Sequence, residues 1–283
     1  MSRRALRASL RADVAGGEAT LIPDPDLASG WVLLLDGTQQ SHVDLADPTN
    51  LSFEYMRRIG HVVDLLPPGP LRIVHLGGGA MSLARYASAR RPRTDNLVVE
   101  RDEPLVDLVR EHLPWPRHYR IRVRGGDARE RLEQLPDASA DLVVLDVFAD
   151  ARVPGPLTTV EAFAQVRRVL VASGTAVANI ADTGTLTFAR RFVAGVAATW
   201  PHVVVIAEPA VLRGRRFGNL VVVGGDDHAG IDVADLTRRC AADVWPARVL
   251  HGADLVDFVQ GMRPFPDAAA PGSPEPPPGV FDF

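Results

Sequence analysis

The chain has 283 residues, 46% hydrophobic and 23% charged, which is enough apolar surface for one large domain or two modest ones. Its 31 Lys+Arg positions against 35 acidic ones give a net charge of −4, which excludes bulk electrostatic binding to nucleic acid. All of those basic positions are arginine, so lysine Schiff-base and Walker-lysine chemistry are excluded, and the single Cys240 excludes an intrachain disulfide or a cysteine-rich zinc site.

No apolar run approaches the roughly 20 residues needed to span a membrane, and a lone cysteine suits a reducing cytoplasm. In chain order, residues 1–29 are Arg-rich at the start and broken by Gly16-Gly17, Pro23 and Pro25, so they read as a disordered arm. Residues 31–35 form a strand that Asp36-Gly37 turns back as a hairpin. A helix over 51–66 follows, with Phe53, Met56, Ile59 and Val63 on one face and Pro67-Pro68 at its end. Residues 30–66 are therefore a small N-terminal β unit with a linking helix.

Residues 67–262 change character. Apolar runs at 71–76, 96–100, 119–123, 141–146, 175–180, 203–208 and 219–223 read as strands. Helical stretches separate most of them: a small-residue helix after Gly79, then 104–112, 128–135, 158–170 and 185–200. The pattern predicts an α/β fold with a doubly wound, mostly parallel, seven-stranded, Rossmann-like sheet. No room for a helix separates the last two strands, so they pair antiparallel as a hairpin at one sheet edge. Residues 263–283, rich in Pro, Gly, Ala and Asp, read as a disordered tail.

In such a sheet the ligand lies beyond the carboxyl ends of the strands. Gly77-Gly78-Gly79 ends the first strand and lets a ligand approach bare backbone, although Ser82 stands where a dinucleotide fingerprint has its third Gly. Glu100 ends the second strand. It can accept from ribose hydroxyls or cap the next helix, a role that Asp102 or Glu103 fits better. Asp127 ends the third strand and can cap the helix at Ala128, read an adenine amino group, or do both at different oxygens. Asp146 ends the fourth strand, where a carboxylate can hold a cationic amine and take its proton, or simply form a turn. Asp150 is a loop acid with either a solvated or a site role. His75 reads as a packed or strand-end histidine, and Arg213-Gly214-Arg215-Arg216 as a solvated hairpin tip. No His pair has metal-ligand spacing, so no metal site is predicted.

The order of these segments resembles the spermidine synthase (aminopropyltransferase) family, within the class I S-adenosylmethionine-dependent methyltransferase superfamily, over residues 30–225. Leu35-Asp36-Gly37-Thr38-Gln39-Gln40 is similar to the family's L-D-G-x-x-Q hairpin, which implies Gln40 on the nucleoside. Val74 to Gly79 matches the glycine loop, and Glu100-Arg101-Asp102 matches E-x-D, which implies Glu100 on the ribose with Arg101 beside it. Gly126-Asp127-Ala128 matches G-D-A/G, which implies Asp127 and Ala128 near adenine. Asp146 falls at the family's catalytic Asp. Departures cluster on the amine side. Ala80 replaces the acid that follows the glycine loop, Phe53-Glu54-Tyr55-Met56 stands for Tyr-Gln/His-Glu-Met, and a looser Asp150 stands for the second loop Asp. Glu54, Tyr55 and Asp150 are thus candidate substrate contacts in an altered amine site.

The resemblance implies a transferase that moves an aminopropyl group from decarboxylated S-adenosylmethionine to a small amine in polyamine biosynthesis, as a cytoplasmic homodimer. Two other readings keep the fold: a small-molecule methyltransferase using S-adenosylmethionine itself, and a catalytically silent nucleoside-binding homologue.

Overall fold

Period-two and buried apolar runs, separated by turns and amphipathic helices, assemble two sheets. The computed structural model describes residues 8–226 and 230–277. The first sheet is an antiparallel meander of β1 (Leu10–Val14), β2 (Gly17–Pro23), β3 (Gly30–Leu35) and β4 (Thr38–Asp44). The chain continues through α1 (Glu54–Leu65), β5 (Arg72–Leu76), α2 (Ser82–Arg90), β6 (Asp95–Glu100), α3 (Glu103–His112), β7 (Ile121–Gly125) and α4 (Ala128–Gln134). Then come β8 (Ala140–Leu145), α5 (Val160–Val169), β9 (Leu170–Asp182), α6 (Thr187–Thr199), β10 (His202–Ala207) and α7 (Pro209–Leu212). The order closes with β11 (Gly218–Gly225), α8 (Val233–Ala242), β12 (Arg248–Leu250) and α9 (Gly252–Val259).

The second sheet runs β12-β10-β11-β9-β8-β5-β6-β7. Strands β5 to β9 are mutually parallel, while β11 is antiparallel to both β9 and β10. This is the doubly wound, methyltransferase-like sheet expected, with eight strands instead of seven. The extra strand, β12, pairs antiparallel with β10 over three residues, too short a run to carry a pattern of its own. It takes the edge position expected for the β10–β11 hairpin, and the short helix α7 sits in that hairpin's connection, where no helix is predicted.

Alternate residues of each central strand go to opposite faces. Val74 and Leu76 pack with Phe163, Phe192 and Trp200 from α5, α6 and the residue ending α6, whereas Ile73 packs with Ile59 and Val62 of α1 and Leu236 of α8. A third cluster joins the small sheet to the large one through Leu21, Trp31 and Val43 against Leu105, Val106 and Val109 of α3.

Two expectations are corrected here. Residues 1–29 are predicted as an arm, yet β1 and β2 lie within them, and Ala19 and Leu21 are fully buried. Leu10, Ala12 and Val14 alternate with polar neighbours as a half-buried strand does, and Ala15-Gly16 is the turn of a hairpin that Gly17 closes against Val14, not a break. The tail after Arg263 also packs. Phe265 is buried against Phe188, with ring centroids 5.7 Å apart, under the guanidinium of Arg191, and Ser273 is fully buried. The ends of both segments, residues 1–7 and 278–283, lie outside the described residues. Among the described residues no helix is long and apolar enough to cross a membrane.

Arginine ends several helices in this lysine-free chain. The last carbonyls of an α-helix have no partner within it. Arg91 donates to Val63 O at 2.9 Å, Leu66 O at 2.5 Å and Pro67 O at 2.6 Å past α1, and Arg168 donates to Leu132 O and Leu135 O at 3.1 and 2.7 Å past α4. A planar fork with five donors reaches several carbonyls that an ammonium could not.

Leu21→Ala distinguishes a packed N-terminal sheet from an arm. It should lower unfolding free energy by about 2–5 kcal/mol, as for other buried leucines. A denaturant midpoint equal to that of the native chain would return residues 17–23 to the status of an arm.

Candidate active site

Strands β5, β6, β7 and β8 end side by side, and main-chain bonds hold the ends level. Gly77 N–H donates to Val99 O at 2.9 Å, Asp146 N–H to Leu76 O at 2.9 Å, and Gly126 N–H to Glu100 O at 3.2 Å. Gly77 has a φ of 92°, and a Cβ placed on it would lie 2.1 Å from the carbonyl oxygen of Asp146, so only glycine fits. The glycine turn is thereby pressed against the backbone of the candidate catalytic acid.

Glu100 fixes that turn. Its Oε2 accepts from Gly78 N–H at 2.9 Å and Gly79 N–H at 3.4 Å, and its Oε1 accepts from Asp102 N–H at 3.1 Å. A carboxylate has about four lone-pair positions, so acceptor capacity remains for a ligand hydroxyl. The cap of α3 is Asp102, which accepts from Leu105 N–H at 3.1 Å, as expected for the better-placed acid. Asp127 caps α4 through Oδ1 alone, which accepts from Arg129 and Glu130 N–H at 2.8 and 3.1 Å. Its other oxygen stands outside the cap.

Asp146, half-buried at the end of β8, has two side-chain donors. Asn179 of β9 donates to its Oδ1 at 2.9 Å, and the buried phenol of Tyr55 in α1 donates to the same carboxylate. Burial lifts the Asp146 carboxyl to about 6, against the pull of both hydrogen bonds. Burial, and then the charge of Asp146, push the Tyr55 phenol well above its ordinary range.

These groups share one cleft of about 360 Å³, within the roughly 300–1,000 Å³ of small-ligand sites. The lining includes Gln40 of β4, the glycine turn, Glu100, Arg101, Asp127 and Ala128, with Tyr55, Asp146 and Asp150 also on its walls. Arg101 is exposed. Asp150 is exposed at the tip of a tight turn closed by reciprocal Ala149 and Arg152 main-chain bonds of 2.8 and 2.9 Å. Glu54 is not on the lining, and its charge acts on the buried guanidinium of Arg58 and on the phenol of Tyr55. Ala80 is buried, and its N–H donates to Ser41 Oγ at 3.2 Å, so a hydroxyl and no acid follows the glycine turn.

Sequence reasoning missed Asn179 and Ser41. The signal for Asn179 is an amide side chain inside the otherwise apolar run 176–181. His75 is the packed histidine expected. It lies 3.0 Å from Asn96 Oδ1, and burial lowers it to about 4, so it is neutral near neutral pH. Arg213, Arg215 and Arg216 are exposed, and Arg216 pairs with Glu208 at 3.0 Å. Among the described residues no group of three or more His, Cys, Asp or Glu side chains gathers as a metal site.

A solved structure described as a probable spermidine synthase from Corynebacterium glutamicum is 33% identical, superposes with a TM-score of 0.82, and is aligned over 92% of this chain and 96% of that one. Two curated relatives are polyamine aminopropyltransferases. The one from Vibrio vulnificus is 28% identical over 43% of this chain and 42% of its own. The one from Aeropyrum pernix is 29% identical over 56% of this chain and 51% of its own. The chain thus spans about half the length of the curated relatives it matches. No family model matches the sequence.

The raised Asp146 carboxyl makes a linkage prediction. Its unfolded value is near 3.8 and its folded value about 6. Between these the folded chain binds more protons, so its stability falls as pH rises through the window, and the penalty persists above it. Asp146→Asn removes the titration. Its urea midpoint relative to the native chain should therefore rise from pH 4 to pH 7.5. A difference that stays constant across that range would mean Asp146 titrates as an ordinary carboxyl.

Proposed function

Because the chain belongs to the spermidine synthase family, we propose that it is an aminopropyltransferase that moves the aminopropyl group of decarboxylated S-adenosylmethionine to a small amine in polyamine synthesis. The observation that carries this reading is the Asp146 carboxyl. Its residue's backbone is pressed against the glycine turn, and the carboxyl itself is held by Tyr55 and Asn179 and raised to about 6.

Each wall of the cleft has a task in this reading. Glu100 takes the ribose hydroxyls, with its remaining acceptor capacity and its orientation already set by the glycine amides. Asp127 takes the adenine amino group with the oxygen not used in the helix cap, beside Ala128, while Gln40 reaches the nucleoside from the small sheet. The acceptor arrives as an ammonium. Ionised Asp146 holds it and accepts one proton, which frees the nitrogen lone pair. That nitrogen attacks the carbon next to the sulfonium. The new C–N bond forms as the C–S bond breaks, the bonding pair passes to sulfur, and methylthioadenosine leaves. Orientation of two bound reactants supplies most of the gain. Methyl transfer from S-adenosylmethionine has no comparable support, since the family's chemistry is aminopropyl transfer. Ala80 leaves the donor's ammonium without an acid from the glycine turn, so binding strength falls on the nucleoside contacts.

Calorimetry with four nucleosides tests the donor. Decarboxylated S-adenosylmethionine and methylthioadenosine should bind more tightly than S-adenosylmethionine and S-adenosylhomocysteine, and the reverse order would sink the reading. Glu100→Gln should weaken methylthioadenosine at least tenfold, the loss expected when a charged acceptor becomes neutral. Unchanged affinity would remove Glu100 from the ribose.

Turnover tests the acid. Asp146→Asn should lower it by about 10²–10⁴ with methylthioadenosine affinity little changed. In the native chain the rate should rise with pH through about 6 as Asp146 ionises. Tyr55→Phe removes a bond that favours the ionised form, so this limb should move to higher pH. A limb that stays in place would show that Tyr55 does not act on Asp146.

A further inference from the structure

The packed tail is anchored beside the cleft at two places. On the nucleoside wall, Asp267 accepts from Thr159 Oγ1 at 2.5 Å and from Arg129 Nη1 and Nη2 at 3.2 and 3.0 Å, and Arg129 sits in the first turn of the helix that Asp127 caps. At the second anchor, just past the 149–152 turn, fully buried Ser273 makes three bonds. Its Oγ accepts from Val153 N–H at 2.9 Å, its N–H donates to Val153 O at 3.0 Å, and its carbonyl accepts from Arg152 Nε at 2.6 Å. Between these anchors the two backbones run so close that a Cβ on Gly155 would lie 2.1 Å from the carbonyl oxygen of Ala270.

Val153 directly follows the Ala149–Arg152 turn that edges the cleft beyond Asp146. That turn is poorly supported by itself. Asp150 and Ala151 both hold left-handed φ values, 50° and 58°, which L side chains rarely adopt, and none of residues 149–152 is buried. A strained turn with few buried contacts keeps one position only when its surroundings impose it. Ser273 and Arg152 supply that constraint.

We propose that residues 267–275 are a positioning strap. The strap fixes the 149–152 turn, and with it the acceptor side of the cleft, in register with Asp146, and Ser273 is its main positioning residue. The consequence for the acceptor rests on the aminopropyl-transfer reading. The position of the turn does not.

Ser273→Ala in the full chain removes the buried acceptor of Val153 N–H and leaves Asp146, Glu100 and Asp127 untouched. Two measurements are expected to move. Hydrogen exchange at the Ala149, Arg152 and Val153 amides should quicken roughly tenfold, the factor for one lost buried hydrogen bond, and the acceptor KM should rise by a similar factor. Turnover number and methylthioadenosine affinity should hold. Arg152→Ala, which loses the guanidinium bonds to the Ser273 carbonyl and to Glu275 (3.3 Å) but keeps the Ser273–Val153 pair, should move the same two readouts in the same direction and covers the case in which Ser273→Ala fails to fold. The proposal is overturned if acceptor KM is unchanged in the folded variants, or if KM, turnover and nucleoside affinity all fall off together, as general loosening would produce. If the native chain turns over no amine at all, the aminopropyl-transfer reading fails and exchange decides the strap alone. Unaltered protection at those three amides then overturns it.

Discussion

Gly77 and Asp146 meet where two neighbouring parallel strands end, and the distance between them is set by a missing methyl group. Any side chain at Gly77 would be driven into the carbonyl of Asp146. The strand ends would have to part, and the Gly78 and Gly79 amides would leave the carboxylate of Glu100. The left-handed turn thus joins the Glu100 wall of the cleft to the Asp146 wall. Neither the carboxylate of Glu100 nor that of Asp146 can be moved independently of the other, because one main-chain contact links their strand ends.

Three carboxylates stand at the ends of β6, β7 and β8 in this frame, and their surroundings differ. Glu100 and Asp127 accept from main-chain N–H groups, which hold an acid still and suit it to recognising a ligand's donors. Asp146 receives side-chain donors, a phenol and an amide, in a more enclosed place, and burial outweighs both. A carboxyl balanced near neutral pH exchanges its proton readily in either direction, which a recognition acid has no reason to do. Ala80, the residue after the glycine turn, is neutral and bonds to Ser41 through its N–H.

Much of this was legible before any coordinates. Glycine, Glu, Asp and Asp at the ends of four successive apolar runs can only converge if the sheet is parallel, and the spacing requires that it is. The turn at Asp36-Gly37 and the caps at Asp102 and Asp127 also follow from local chemistry, because a short polar side chain ahead of a helix has one dominant use. What stayed hidden depends on partners far along the chain. The amide of Asn179 has meaning only once β9 lies beside β8. Arg91 and Arg168 look like solvated charges until their forks meet helix ends from elsewhere in the sequence. The N-terminal strands and the tail were obscured for another reason. Glycine and proline signal both breaks and tight turns, and only packing against α3, or against the residues around Thr159 and Val153, tells the two apart.

The tail's anchors also bear on the order in which the molecule becomes complete. Asp267 bonds to Thr159 across 108 positions of sequence, and Ser273 to Val153 across 120. A chain made from its N-terminus at roughly 5–20 residues per second has every strand of both sheets before either anchor exists, since β12 ends at Leu250. The glycine turn, Glu100 and Asp127 can therefore settle while the far wall is still loose. A nascent or prematurely ended chain would have the glycine turn and its carboxylates in place while the 149–152 turn still lacked its anchor. The strand-end carboxylates are placed first, and the 149–152 turn beside them is secured last.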